Sequence, residues 1–465
     1  MPPARRVILA PPAVLAHPDS GRAAFKDGVM QWRERYSDKL ATPGEAVRLV
    51  KSGGSVYVGM FNSTPPGLCA ALMARKDELR DVSVFHFIAP FVWELPETRA
   101  SFRLVTVFSS ASDRIQLRSG FGDYLPVGNF RQSGMKDLLR DVDVMMVRTS
   151  PPDDNGYLSF GHAVWTNRTA ADVIPHIICE VDEGLIRTFG ENFLHVSQVD
   201  YLCEHRAGEP AAALPPRSEE TVMAAEVICT LIATELVNDG DTVQMGLGDV
   251  TTAMAMYLGD KHDLGIQTEL IPGGVVDLVE RGVVTGRYKQ IAPGRVIGSA
   301  FAMLPAEELA RAHLNPRFEL WDFCHTDDLP MLVREKNFIA INNALQIDLT
   351  GQVTSETLNG QLYSGPGGQT TFAVAAAVGE GGRSVIALPS SSLVGGERHS
   401  RIVGTLPAGS VVTTPRTFVD YVVTEYGIAT LRGKTIRQRA EELIAVAHPD
   451  ARTDLRRQAA ELHHL

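Results

Sequence analysis

The stretch Leu264-Gly265-Ile266-Gln267-Thr268-Glu269-Leu270-Ile271-Pro272-Gly273-Gly274, running into Val275-Val276-Asp277-Leu278-Val279-Glu280, decides how this chain is read. Leu264, Ile266, Leu270 and Ile271 have the character of a short buried strand end. Pro272-Gly273-Gly274 stop it, and Val275, Val276, Leu278 and Val279 open a helical apolar pattern. Glu269 is the only charged residue of the strand part. A carboxylate at a strand end, before a glycine turn, sits where open α/β sheets bind ligands. The competing reading is a rim glutamate beside a loop, because most glutamates are exposed.

The same rhythm extends on both sides. Helical spacing at Pro43–Val50 is stopped by Gly53-Gly54. A strand follows at Ser55–Gly59, then a turn at Asn62–Gly67 and a helix at Leu68–Ala74. Strands are expected at Val82–Ile88, Leu104–Phe108, Val142–Val147 and Ile177–Val181, the alternation of a mostly parallel α/β sheet. Gly208–Arg217 is rich in Pro and Ala and reads as a linker, with a helix after it at Glu220–Val237. Further strands are expected at Phe338–Asn342, Leu345–Leu349, Val385–Leu388, Val411–Thr414 and from Tyr421 to the Thr424-Glu425 end. A small-residue helix is expected at Phe372–Val378, and a charged helical segment from Arg437 to Leu462 is broken at His448-Pro449-Asp450. Leu49–Gly59 and Leu236–Gly246 align at a constant offset of 187, with Leu, Val, Gly, Val and Gly matching in place and Thr64 falling on Thr251. A duplicated α/β domain explains this; two common β-α turns matching by chance is the alternative. The expected organisation is an arm over 1–37, one α/β domain over 38–208 and a second over 218–465.

With 465 residues the chain exceeds one compact core. Its 44% apolar and 21% charged residues are ordinary for a globular protein. A net charge of −11 argues against a nucleic-acid surface, while leaving room for a local basic pocket. The five cysteines form no C-x-x-C, which fits a reducing cytoplasm and disfavours a disulfide framework or zinc site. Prolines interrupt the apolar N-terminus, which reads as a leader or packing arm, and no apolar run has the length of a membrane span.

Gly246-Leu247-Gly248 is a G-x-G turn between strand and helix, suited to a phosphate or an oxyanion. It lacks the third glycine of a dinucleotide fingerprint, since Thr251 stands there. Glu269 nevertheless lies where a ribose-binding acid would sit, so a nicotinamide enzyme stays in competition. No triphosphate-binding loop or G-x-S-x-G elbow occurs, and Ser390-Ser391-Ser392 reads as a loop. Gly365-Pro366-Gly367-Gly368 is a second dense glycine turn, either a plain loop or a place where a backbone N–H meets an acyl oxygen. Asp322–Asp328 carries metal-ligand residue types without metal spacing and is expected to be a solvated loop; no metal is expected. His162 and His195 read as structural.

Several long, ordered motifs resemble the acetyl-CoA hydrolase/transferase family of class I CoA-transferases, most of all its 4-hydroxybutyrate CoA-transferase branch. They are Gly246-Leu247-Gly248 with Ala253, Gln267–Leu270 with Gly274–Gly282, Ala340–Ala344 with Asp348–Val353, Tyr363–Gln369, and Val423–Ala429 with Leu431-Arg432-Gly433. Asp154-Asn155-Gly156-Tyr157 and Arg187-Thr188-Phe189-Gly190 extend the match into the first half. The resemblance implies two related open α/β domains with the active site at their interface. It implies Glu269 as nucleophile, Gly368 with Gly367 at the thioester oxyanion, and Glu425 as a nearby acidic site residue. It places Gly246, Gly248, Gly365 and Gln369 at the coenzyme A pocket. The implied activity is acyl-CoA:carboxylate CoA transfer in acetate metabolism, through a glutamyl-CoA thioester. Acyl-CoA hydrolysis, or acyl transfer in a biosynthetic pathway, is the alternative on the same site. A CoA-binding scaffold is the alternative of another class. The implied partners are acyl-CoA and a small carboxylic acid, with neither nucleic acid nor membrane, and a homodimer is the default assembly. Three positions depart from the family pattern: Thr251 for proline, Asp327 for asparagine, and Glu380 for lysine. The last two put negative charge where an anionic coenzyme is expected.

Overall fold

Two parallel sheets are assembled in the same order from successive stretches of the chain. The computed structural model describes residues 31–88, 90–93, 95–127, 132–206 and 218–463. The Gly208–Arg217 linker and residues 1–30 of the N-terminal arm lie outside them. The first sheet comprises β1 (Ser55–Val58), β2 (Val82–His86), β3 (Phe102–Thr106), β4 (Gly122–Tyr124), β5 (Val144–Thr149), β6 (His176–Val181) and β7 (Tyr201–Glu204), in the order β7-β6-β5-β1-β2-β3-β4. The second comprises β8 (Thr242–Met245), β9 (Gly265–Gln267), β10 (Val296–Gly298), β11 (Phe318–Leu320), β12 (Phe338–Asn343), β13 (Arg383–Ala387), β14 (Tyr421–Thr424) and β15 (Gly427–Thr430). Its order is β15-β14-β13-β12-β8-β9-β10-β11, and only the β14–β15 pair is antiparallel. In each sheet the first strand is central, the next three line up on one side and the following three on the other, with β15 added at the edge of the second. The repeat offset carries β1 onto β8 residue for residue. The buried strands are runs of Val, Ile, Met and Ala, as parallel strands covered on both faces require.

The halves are sewn together. Phe189–Gly190, from the first half, pairs with Glu319 and Leu320 and so extends the second sheet. One buried cluster joins Trp32, Tyr57, Phe160 and Trp165 to Leu270, Ala300 and Phe323. Trp32 lies on helix α1 (Gln31–Arg35), so the first core reaches back into the stretch read as an arm.

Local expectations are corrected in four places. Val411–Thr414 forms no strand, only a single bridge from Thr414 to Val353. Ser391 and Ser392 open a hairpin, Ser391–Val394 with Glu397–Ser400, instead of a loop. The helix after the linker is α-helical over Glu219–Leu231 and widens to a π turn at Ile232–Leu236. There the Thr230 and Thr234 hydroxyls bond the carbonyls of Glu226 and Thr230, competing with the helical ladder. Finally, Asp322–Asp328 is no solvated loop: it contains the short helix Phe323–Thr326, and Asp322, Phe323, Cys324, Thr326 and Asp327 are all buried.

Candidate active site

The deciding stretch does not continue as one strand. β9 ends at Gln267, and Leu270–Ile271 pair instead with Ala300–Phe301 in a separate two-stranded sheet. Thr268 makes the break. Its hydroxyl accepts from the Met245 N–H (3.1 Å) and donates to the Met245 carbonyl (2.9 Å), taking over the backbone ladder to β8. The Glu269 carbonyl is held by the Ser299 N–H at 2.8 Å. Side-chain bonding thus frees the backbone to turn, and the turn puts Glu269 at the carboxyl end of the second sheet.

The glycine-rich loop meets Glu269 there. The Gly368 N–H donates to Glu269 Oε2 at 3.2 Å. Gly368 is the residue before helix α2 (Gln369–Val378), so the positive helix end faces the carboxylate. No side chain fits at Gly368: a Cβ would overlap Asp327 Oδ2, lie 2.6 Å from Phe372 and 2.8 Å from Glu269 Oε2. A Cβ at Gly365 would lie 2.6 Å from the Val107 carbonyl, so this loop of the second half rests on the chain just after β3 of the first. The Phe108 ring flanks Gly367, whose φ of +51° suits glycine. Opposite, Val164 N–H bonds Ser299, and Asn62 bridges Trp165 and the Phe301 carbonyl. Glu269 therefore stands at the seam of the two halves.

No lysine or arginine among the described residues reaches Glu269. Its side chain stays partly accessible, yet burial lifts the carboxyl to about 7 against the pull of the Gly368 N–H. Beside it, Asp327 is buried; its Oδ1 accepts from Thr326 at 3.0 Å and its Oδ2 has no partner among the described residues. Burial and the Glu269 charge raise the Asp327 carboxyl well above the usual range.

The other singled-out residues divide. Glu425 follows β14, and both its oxygens are taken by the Ser390 N–H and hydroxyl, not by Glu269. Gln369 is buried and donates to Thr414 at 3.2 Å, inward rather than to the loop surface. Gly246 and Gly248 leave room for Asn342 and Asn343, whose side chains would meet any Cβ there. The helix after them, Asp249–Ala253, is too short to offer an anion-binding end, and Thr251 accepts from Asn343 at 2.9 Å. Glu380 is exposed and paired with Lys336 (2.8 Å) just before β13, at the end of the sheet opposite Glu269. Glu380 thus lies away from Glu269. Burial lowers His162 to about 4, and His195 bonds Ser197 and Asn155. Among the described residues no group of three or more metal-binding side chains occurs, and no helix is long and apolar enough to cross a membrane. A cleft of about 570 Å³ between Ser109–Arg118, β4 and Gln361-Leu362 opens next to the Gly365 loop and carries Arg114 and Arg118.

Two α/β sheets of repeated strand order thus meet at a seam where a partly accessible glutamate faces a glycine turn. The chain belongs to the acetyl-CoA hydrolase/transferase family, whose N-terminal domain matches residues 26–213 and whose C-terminal domain matches residues 307–459. It is 35% identical over 430 residues to 4-hydroxybutyrate coenzyme A transferase of Clostridium kluyveri, covering 92% of this chain and 98% of that one. The crystal structure of RipA from Yersinia pestis superposes with a TM-score of 0.85 at 33% identity, covering 94% of this chain and all of the other. An acetyl-CoA hydrolase of Kluyveromyces lactis is 26% identical over 221 residues, 45% of this chain and 38% of its own.

Proposed function

We propose that this protein moves coenzyme A between carboxylates, an acyl-CoA:carboxylate CoA-transferase working through Glu269. One observation carries the reading: a carboxylate without a cation, at the seam of the halves, lies on the N–H of a glycine that admits no side chain. A carboxylate attacks a thioester poorly, so positioning must supply most of the acceleration. Here the strand break fixes the nucleophile, and the Gly368 N–H stands ready for charge developing beside it.

The chemistry balances without any other reagent. A Glu269 oxygen bonds the acyl carbon as the carbon–sulfur bond breaks, giving a mixed anhydride and the CoA thiolate. The thiolate then bonds the Glu269 carboxyl carbon, releasing the first carboxylate and leaving a glutamyl thioester. The acceptor carboxylate runs both steps in reverse. One thioester replaces another, so its free energy is kept, and the kinetics are ping-pong. Coenzyme A enters as substrate, and the cleft lined by Arg114 and Arg118 together with Asp123 offers two guanidinium groups to its phosphates. The full-length likeness to a transferase, against a partial one to a hydrolase, favours a carboxylate acceptor over water.

The test is a mass spectrum of the intact protein after incubation with acetyl-, butyryl- and succinyl-CoA, with and without borohydride, alongside isotope exchange into acetate. Wild type gains CoA on Glu269, and Glu269→Ala gains none and exchanges nothing. Glu269→Asp, which withdraws the nucleophile by one methylene, loses about 100-fold. An adduct on another residue, or turnover by the alanine variant, overturns the reading.

A further inference from the structure

The mechanism so far gives the developing oxyanion one donor, the Gly368 N–H, and leaves a second polar group in the same space unexplained. We propose that Asp327, held as the neutral acid, is a further catalytic residue whose O–H donates to the thioester carbonyl oxygen as Glu269 attacks. This rests on the transferase reading.

The geometry starts from a carboxyl whose two oxygens differ. Oδ1 is occupied by the Thr326 hydroxyl, itself bonded to Ser299 Oγ at 2.8 Å. Oδ2 is buried, unpartnered among the described residues, and faces the missing side chain of Gly368, where Glu269 Oε2 also points. A buried polar atom without a partner costs free energy, and a catalytic role is one of the reasons a fold keeps one. The groups facing Asp327 come from four elements. Glu269 comes from the break after β9, Ser299 from the turn after β10, Gly368 and Phe372 from α2, and Asp322, Cys324 and Thr326 from its own segment. None of them is a cation.

Two carboxyls crowded into one poorly hydrated space without a cation resist ionising together. Glu269 has the Gly368 N–H and the end of α2 to support its charge; Asp327 Oδ2 has neither. The shared proton therefore rests on Asp327 Oδ2, on the side bordered by Gly368 and Glu269 Oε2. In the step, Asp327 keeps this proton and strengthens a hydrogen bond as charge grows; no proton changes owner. The competent state is Glu269 ionised with Asp327 neutral, so turnover falls at alkaline pH when Asp327 loses its proton.

The experiment is a set of kcat/KM profiles against pH for wild type, Asp327→Asn and Asp327→Ala, with butyryl-CoA and acetate. Asn keeps a donor of the same shape that does not titrate. Asp327→Asn is expected within about tenfold of wild type at neutral pH, with its alkaline limb gone. Asp327→Ala should lose about 100-fold in kcat with KM for butyryl-CoA nearly unchanged. An alanine variant as fast as wild type, or an asparagine variant with the wild-type alkaline limb, overturns the proposal. Circular dichroism identifies a variant that fails to fold, and wild-type protein then supplies the decision by infrared spectroscopy. Its protonated-carboxyl band at neutral pH should shift on carbon-13 labelling of aspartate, and its difference against whichever Asp327 variant folds isolates the residue. If no acyl pair is exchanged at all, the transferase reading fails by itself; a missing band overturns the Asp327 assignment whatever the exchange assay shows.

Discussion

Glu269 is a charge kept where charge is expensive. Its carboxyl stands near 4.5 when unfolded and near 7 when folded, because burial outweighs the one N–H that supports it. The folded state then holds the proton more tightly than the unfolded one. This stabilises the fold at acidic pH, and the contribution is lost as pH rises from about 4.5 through 7. Activity runs the other way, since only the ionised form attacks. Glu269→Gln is therefore expected to melt with wild type near pH 5 and about 2–3 °C above it at pH 8, by calorimetry, while being inactive at both. A variant melting below wild type at pH 8 would mean that the charge is stabilised by contacts other than those described. The glutamate itself was legible in the sequence as the lone charge in an apolar strand. Asp327 was noticed only as a departure: its segment looked polar enough for solvent, and nothing local announces that Asp322 and Asp327 turn inward.

At the scale of the element, the strand break matters most. A threonine at position 268 looks like any β-branched strand residue. Its hydroxyl nevertheless serves the N–H and the carbonyl of Met245 together, and so takes over from the pairing of β9 with β8, whose last paired residue is Ile266. Thr268→Val keeps the shape and leaves two buried backbone groups unpaired, at about 2–3 kcal/mol. The expected outcome is a melting point lower by about 2–3 °C, with a larger relative loss in acyl exchange because Glu269 is no longer held at the seam. A valine variant with wild-type melting and turnover would show that the backbone path is set elsewhere. The regular strands around it were readable from apolar runs and glycine stops, and their ends shifted by one or two residues. Val411–Thr414 shows the limit of that reasoning: β-branched residues need a neighbouring strand edge, and Thr414 finds one only at a single bridge to Val353.

For the whole molecule, duplication and division pull against each other. The two sheets repeat one order, yet the first half lends a strand to the second sheet and the shared cluster from Trp32 to Phe323 crosses the seam. Calorimetry should accordingly show one cooperative unfolding transition, and two resolved transitions would show that the halves fold independently. The sequence by itself determined what is periodic or local: the α/β alternation, the repeat at constant offset, the glycine turns, and the strand-end glutamate. Each of these is written in neighbouring residues, where apolar spacing and glycine act over a few positions. The tertiary structure alone decided which polar groups share a space. It set Asp327 beside Glu269, the Gly365 loop on Val107, Glu425 on Ser390, and Glu380 at the far end of the sheet. Those pairings join residues far apart in the chain, and a carboxyl's charge, exposure and partner follow from what the fold packs against it.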